Sequence, residues 1–279
     1  MSKYVLGHSD AEHRRLEFQA ELIAPVTRRL LVDAGIQEGM HVLDIGTGRG
    51  DVAFIAAELV GETGSVVGID SAPAAIAAAR DRAAAGSHVN VSFEERDPAA
   101  FRPTSPLDAV VGRYVLQFLP DPAAVLRQLS GQLRPGGIVA FHEIDWTGHR
   151  SDPPVAIWDR CCSLVTEVIA AGGADVASGA RNPSIFARAG LPAPSIGMTT
   201  IVGAGANSRD VVQRMANLVL SLLPKMQDSG LVAPDEFDAE TLAQRIADDA
   251  TASASFVAAG SEVTAYTRLP DAPQTASSA

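Results

Sequence analysis

Residues 42–54 read VLDIGTGRGDVAF. An apolar run carries one acid, Asp44, and a glycine-rich turn follows at once with Gly46, Gly48 and Gly50. Glycines between a strand and a helix let backbone approach a ligand closely, and the amides and dipole of the helix start favour anything anionic. The spacing is GxGxG: Asp51 stands where the GxGxxG of a dinucleotide fingerprint has its third glycine. Alone, the turn says only that a backbone comes close to something.

Outward from this stretch, strand and helix patterns alternate. MHVLDI (40–45) reads as a strand and residues 50–60 as the helix after the turn. SVVGID (65–70) is a second strand. An alanine-rich helix follows, opened by Ser71 with Pro73 in its first turn and closed by Gly86. VNVSFEERD (89–97), LDAVVGRYVL (107–116) and IVAFHEID (138–145) carry three more strands, with a helix over 121–133 and a tight turn at Pro135-Gly136-Gly137. The spacing of residues 40–145 is that of βαβ units, hence a parallel, doubly wound sheet with helices on both faces. Ligands in such sheets bind outside the carboxyl ends of the strands.

Beyond 150 the pattern loosens. Helices are expected at 154–171, 182–191, 208–223 and 238–250, and strands at 195–203 and 261–269. A helix over 10–33 precedes the core, with Pro25 set to kink or divide it. The expected organisation is a helical cover over 1–34, an α/β core over 35–150, a lid helix in 151–182, the rest of the core over 183–269 with a helical insertion at 206–256, and a disordered tail at 270–279.

Three acids sit at successive strand ends: Asp44, Asp70 and Asp97. A dinucleotide phosphate beside the turn is repelled by Asp44, whereas an ammonium or sulfonium is welcomed. A carboxylate at Asp70 can accept both ribose hydroxyls, and one at Asp97 can accept from the exocyclic amine of adenine. Together they suit adenosine joined to a zwitterionic amino acid and suit pyrophosphate badly. Each acid also has a plainer reading: Asp44 as a turn acid, Asp70 as a helix cap, and Asp97 before Pro98 as a turn start.

VLDIGTGRGDVAF, VVGIDSA (66–72), EERDP (94–98), DAVVGRYVLQFLPDP (108–122) and LRPGGIVAFHE (133–143) resemble, in order and spacing, the motifs of class I S-adenosylmethionine (SAM)-dependent methyltransferases. The resemblance implies a seven-stranded, mostly parallel Rossmann-like sheet whose last strand is antiparallel, with helical lid insertions. It puts Asp44 and the turn from Gly46 through Thr47 and Gly48 to Gly50 near the methionine part of the cofactor, Asp70 with Ser71 on the ribose, Asp97 with Pro98 near the adenine, and Arg113 beside the cofactor. The opening YVLGHSDAEHRRL (4–16) is similar to the N-terminal helix that closes over SAM in members acting on small molecules.

The implied activity is methyl transfer to O, N or C of a small organic molecule, for example in secondary metabolism, with S-adenosylhomocysteine (SAH) as product. Some relatives of this kind use bound SAM for pericyclic, decarboxylating or hydroxylating chemistry, and the cofactor motifs are the same. A non-catalytic SAM-binding subunit and an NAD-dependent oxidoreductase complete the alternatives; Asp44 and Asp51 argue against the last.

A hydroxyl acceptor needs a base. His142 ends the fifth strand, and histidine is the side chain type whose unperturbed pKa, near 6.5, suits it to take a proton at neutral pH. His13, with His8, lies in the expected cover, and Tyr114 and Gln117 follow the fourth strand. No metal is expected: catechol-type methyltransferases hold Mg²⁺ by an acid after the fourth strand, where this chain has Arg113-Tyr114.

Composition narrows the acceptor. The 279 residues carry a formal net charge of −11 and only two lysines, Lys3 and Lys225, which disfavours a nucleic-acid partner. The motif of amino-methylating DNA enzymes is absent after the fourth strand, and Cys161-Cys162 follows Arg160, not the proline that precedes the nucleophile of RNA cytosine methyltransferases. Adjacent cysteines make neither a disulfide framework nor a metal spacing. With no apolar run of bilayer length and a polar start, the expectation is a cytoplasmic monomer or homodimer without membrane contact.

Overall fold

The alternation read from residues 40–145 forms the expected sheet. The computed structural model describes residues 10–86 and 88–271, apart from the side chains of 10–14, 16, 17 and 206. In chain order the elements are α1 (Asp10–Ala34), β1 (His41–Ile45), α2 (Asp51–Val60), β2 (Ser65–Asp70), α3 (Pro73–Ala85), β3 (Val91–Glu95), β4 (Leu107–Arg113), α4 (Pro122–Ser130), β5 (Leu133–Asp145), β6 (Arg150–Asp152), α5 (Ala156–Ala171), α6 (Ser178–Ala189), β7 (Ser195–Thr199), β8 (Val202–Ala204), α7 (Arg209–Asp228), α8 (Leu242–Ala252), β9 (Phe256–Ala258) and β10 (Ser261–Arg268).

Seven strands form one sheet in the order β3-β2-β1-β4-β5-β10-β7. β1 pairs in parallel with β2 and β4, β2 with β3, and β4 with β5. Strand order therefore reverses between β1 and β4, which opens the crevice at their carboxyl ends. β10 runs the other way. A Cβ on Gly260, just before it, would stand 2.8 Å from the carbonyl of Asp145 at the end of β5, and Leu269 N, just after it, donates to Gly137 O at 2.8 Å.

The chain divides into two compact units. The larger takes Val26–His142, Arg181–Gly197 and the chain from Thr264 on. Its core joins Leu43 and Ile45 of β1, Val110 of β4 and Phe141 of β5 to Leu126 and Leu129 of α4 and Ile185 and Phe186 of α6. Each such side chain contributes about 1.5–3 kcal/mol by leaving water. The smaller unit takes the chain up to Pro25, Glu143–Ala180 and Met198–Val263. It contains a three-stranded antiparallel sheet, β6-β9-β8, and α5 packed on α7 and α8. There Arg214 of α7 pairs with Glu262 of β10 at 2.8 Å, both deeply buried.

Several boundaries differ from the sequence reading. The stretch 195–203 is two strands, β7 and β8, each in a different sheet. β5 begins at Leu133, so Pro135-Gly136-Gly137 is an irregularity inside a strand, where the β4 pairing shifts register between Leu107 and Ala109. α6 starts at Ser178 and runs through Pro183, as α1 runs through Pro25 and α7 through Pro224. The short strands β6 and β9 were not legible, because three residues carry too little periodicity. Of the tail expected to be disordered over 270–279, Pro270 is held, accepting from Gly136 N at 3.1 Å, whereas 272–279 lie outside the described residues, as does His8.

Candidate cofactor and active site

The glycine turn joins β1 to α2 and is tied down by acids on both sides. Thr47 N donates to Ile69 O at 2.9 Å, stitching the turn to β2. Its hydroxyl donates to Asp44 Oδ2 at 2.6 Å. Asp70, at the end of β2, accepts from Gly48 N at 3.0 Å and from Ala72 N at 2.9 Å. It thus fixes the turn and the start of α3 at once. α3 is capped at Ala72, not opened by Ser71, which stays exposed one residue outside.

Two glycines have distinct reasons. At Gly46 (φ +62°) an added Cβ would stand 2.5 Å from Val115 Cγ2, so the turn is pressed against the chain leaving β4. At Gly48 (φ +54°) an added Cβ would meet nothing within 4 Å. The turn faces open space there, which is where a ligand can come close to backbone.

Asp51 occupies the first turn of α2 and is bracketed by two arginines. Arg82 of α3 pairs with its Oδ1 at 2.7 Å, and Arg113 at the end of β4 approaches its Oδ2 at 3.4 Å. The helix start, which in a dinucleotide fold faces pyrophosphate, already holds a paired carboxylate. Arg113 also donates to Thr27 Oγ1 at 3.1 Å, and that hydroxyl lies 3.0 Å from His142 Nδ1. Thr27 belongs to α1, and nothing in its sequence neighbourhood pointed to it.

Tyr114, directly after β4, has φ +55°, a left-handed conformation that a bulky residue adopts only at a cost. Its ring stands edge-on to His142, with centroids 5.6 Å apart. Strand pairing brings His142 beside Arg113, and His142 is fully buried. Asp97 caps a short turn by accepting from Ala99 N at 2.8 Å; it is exposed, and Pro98 beneath it is buried. Glu143 is buried, with Ser178 Oγ donating to it at 3.4 Å, and Asp145 closes a local turn by accepting from Thr147 N and Oγ1. His13 falls on α1, and its side chain is outside the described residues. Among the described residues no cluster of three or more His, Cys, Asp or Glu could hold a metal ion.

Asp44 is the most perturbed group of the turn. It has no exposed surface, and its Oδ1 has no hydrogen-bond partner. Burial pushes its carboxyl up to about 7, against the opposing pull of Thr47 and Arg113. A carboxylate in that position gains from a cation or a strong donor. With Asp70, Asp97 and the open face of Gly48, the turn presents acceptors of a kind that suits a ligand rich in donors and positive charge.

A seven-stranded sheet of this order, with a strand–glycine turn–helix unit at its switch point, defines the Rossmann-like class of α/β proteins. Residues 36–188, more than half of the chain, match the methyltransferase-domain family, and the chain belongs to that family. It is 40% identical over 122 residues to aklanonic acid methyltransferase DauC of a Streptomyces species, a match covering 43% of this chain and 56% of that protein. It is 37% identical over 140 residues to nocamycin O-methyltransferase of Saccharothrix syringae, covering 50% and 48%. The matches span about half the length of these curated relatives. A solved structure of a Bacillus halodurans protein assigned as a methyltransferase shares the fold with a TM-score of 0.57 at 15% identity, over 88% of this chain and 98% of that one.

Proposed function

We propose that this chain transfers the methyl group of SAM to O, N or C of a small organic molecule, in secondary metabolism. The observation that carries this is Asp44, a fully buried acid with one carboxylate oxygen unpaired, set against a glycine turn with open space at Gly48. That acceptor beside the turn fits a ligand with a cationic amino-acid end and fits pyrophosphate poorly. The similarity to methyltransferases named for aklanonic acid and nocamycin supports a small acceptor.

In this reading Asp44, Gly46, Thr47, Gly48 and Gly50 hold the amino-acid part, Asp70 and Ser71 the ribose, and Asp97 and Pro98 the adenine. Arg113 stands beside the cofactor. Bound SAM supplies an activated methyl group on a good leaving group. The chain's own work is to orient the acceptor and manage its proton. Holding two reactants in line can supply up to about 7–11 kcal/mol of barrier reduction. We assign the proton to His142, fixed through Nδ1 by Thr27, with Tyr114 as its acceptor-side partner.

The acceptor is a small molecule and not a nucleic acid, in keeping with the net charge of −11. Among the described residues no helix is long and apolar enough to cross a membrane. We place the reaction in the cytoplasm, where free buried cysteines such as Cys161 and Cys162 are at home, in a monomer or homodimer.

Titration calorimetry of the purified chain with SAM and with SAH tests the cofactor, and absence of binding to both ends the proposal. Turnover with methyl-labelled SAM tests the reaction: label must pass to an acceptor. Label that stays on SAM through turnover points instead to one of the non-methylating chemistries of this fold.

A further inference from the structure

Asn182 lies on α6 with no exposed surface, and neither its amide nitrogen nor its amide oxygen has a hydrogen-bond partner. Proteins rarely leave both ends of a buried carboxamide unsatisfied, because each lost bond to water is uncompensated. Pro183 follows and has no N–H to offer the helix. Local helix stability therefore does not explain the pair.

The surroundings say what the amide can meet. Ile185 and Phe186, three and four residues on, share the helix face of Asn182. Both belong to the cluster that contains Val115, Leu116 and Phe141. Val115 is also the side chain that a Cβ on Gly46 would strike. Within one compact unit, a single buried apolar cluster therefore links the side chain pressed against the glycine turn to the helix turn that bears Asn182. Asp44, the acid assigned to the cofactor, is equally enclosed, so enclosure does not set Asn182 apart from the proposed site.

We infer that Asn182 recognises the methyl acceptor, its carboxamide pairing with a neutral group that presents a hydrogen-bond donor and an acceptor side by side. An enolised dicarbonyl, a hydroxy-ketone or a primary amide on an apolar body has this chemistry. A charged group does not suit the place, because the cluster beside Asn182 is apolar. This inference rests on the methyltransferase reading.

The test uses full-length protein saturated with SAH and two probes, 2-naphthamide and N,N-dimethyl-2-naphthamide, which share an apolar body and differ in the donor. The wild type should bind the first about tenfold tighter, the equivalent of one net hydrogen bond. Asn182→Leu should bring the two within about twofold of each other, keep SAH affinity and unfold at the same or a higher temperature, because an unsatisfied amide has been removed. Asn182→Ser gives the same readout if the leucine variant does not fold. No preference in the wild type, or a preference retained in the variants, overturns the assignment while SAH binding stands. Lowered stability together with lost SAH binding in both variants overturns it in favour of a structural role. Failure of the wild type to bind SAH removes the methyltransferase reading as well.

Discussion

Arg113 Nη2 lies 3.4 Å from Asp51 Oδ2, and this contact accounts for an acid where a dinucleotide fold has glycine. The Arg113 side chain is 8% exposed and that of Asp51 23%, so the pair is poorly screened. Asp51→Asn should cost about 1–3 kcal/mol in urea unfolding, by leaving Arg113 and Arg82 without their shared carboxylate. SAH affinity should fall with it, and NADH should remain unbound. An unchanged unfolding midpoint would show that the bracket is incidental.

The pH dependence of stability reports on Asp44. Its carboxyl is pushed up to about 7 in the folded chain, against roughly 3.9 unfolded. Between those values the folded state binds the extra proton, so this group's contribution to stability falls as pH rises from about 4 to about 7, then stays flat. Three units correspond to on the order of 4 kcal/mol over the whole window. The stability of Asp44→Asn relative to the parent should therefore rise by about 2–3 kcal/mol between about pH 5 and pH 8. A pH-independent difference in urea melts would count against the buried acid.

Binding should also move that proton. A cationic ligand favours ionised Asp44, so SAM binding near pH 6.5 should release a substantial fraction of one proton. Calorimetry in buffers of different ionisation heat measures it, and equal heats in all of them would refute the coupling.

Gly46 and Gly48 should respond differently to alanine. Gly46→Ala meets Val115 Cγ2 at 2.5 Å and should cost about 2–4 kcal/mol of stability, combining left-handed strain with overpacking. Gly48→Ala meets nothing within 4 Å and should cost about 1 kcal/mol from its φ alone, yet weaken SAH binding about tenfold by filling the open face. Melting curves beside SAH titrations separate the two outcomes.

Asp70 and Asp97 differ in what they hold. Asp70→Ala frees the amides of Gly48 and Ala72 and should weaken SAH binding tenfold or more. Asp97→Ala removes one exposed turn cap, costs about 1 kcal/mol at most, and should weaken binding only a few-fold. Equal affinities in Asp70→Ala and the parent would withdraw the ribose assignment.

The glycine turn and the acids around it were legible from sequence because their geometry is local. Asp44, the three glycines, Asp70 and Asp97 lie at strand–helix junctions, where period and turn chemistry show in a few consecutive residues. The alternation of 40–145 likewise announced a parallel sheet. The second half was read less well. One apparent strand at 195–203 is two strands in two sheets, and three-residue strands carry no usable period.

By itself, the order of residues determined the doubly wound sheet, the glycine turn and the acids at its strand ends. Only the tertiary structure decided which charges meet: Asp51 with Arg82 and Arg113, Thr27 between Arg113 and His142, and Asn182 enclosed without a partner. These contacts join residues 31, 62, 86 and 115 positions apart. Periodicity and turn propensity act over a few residues, whereas pairing of buried charges depends on how distant elements pack.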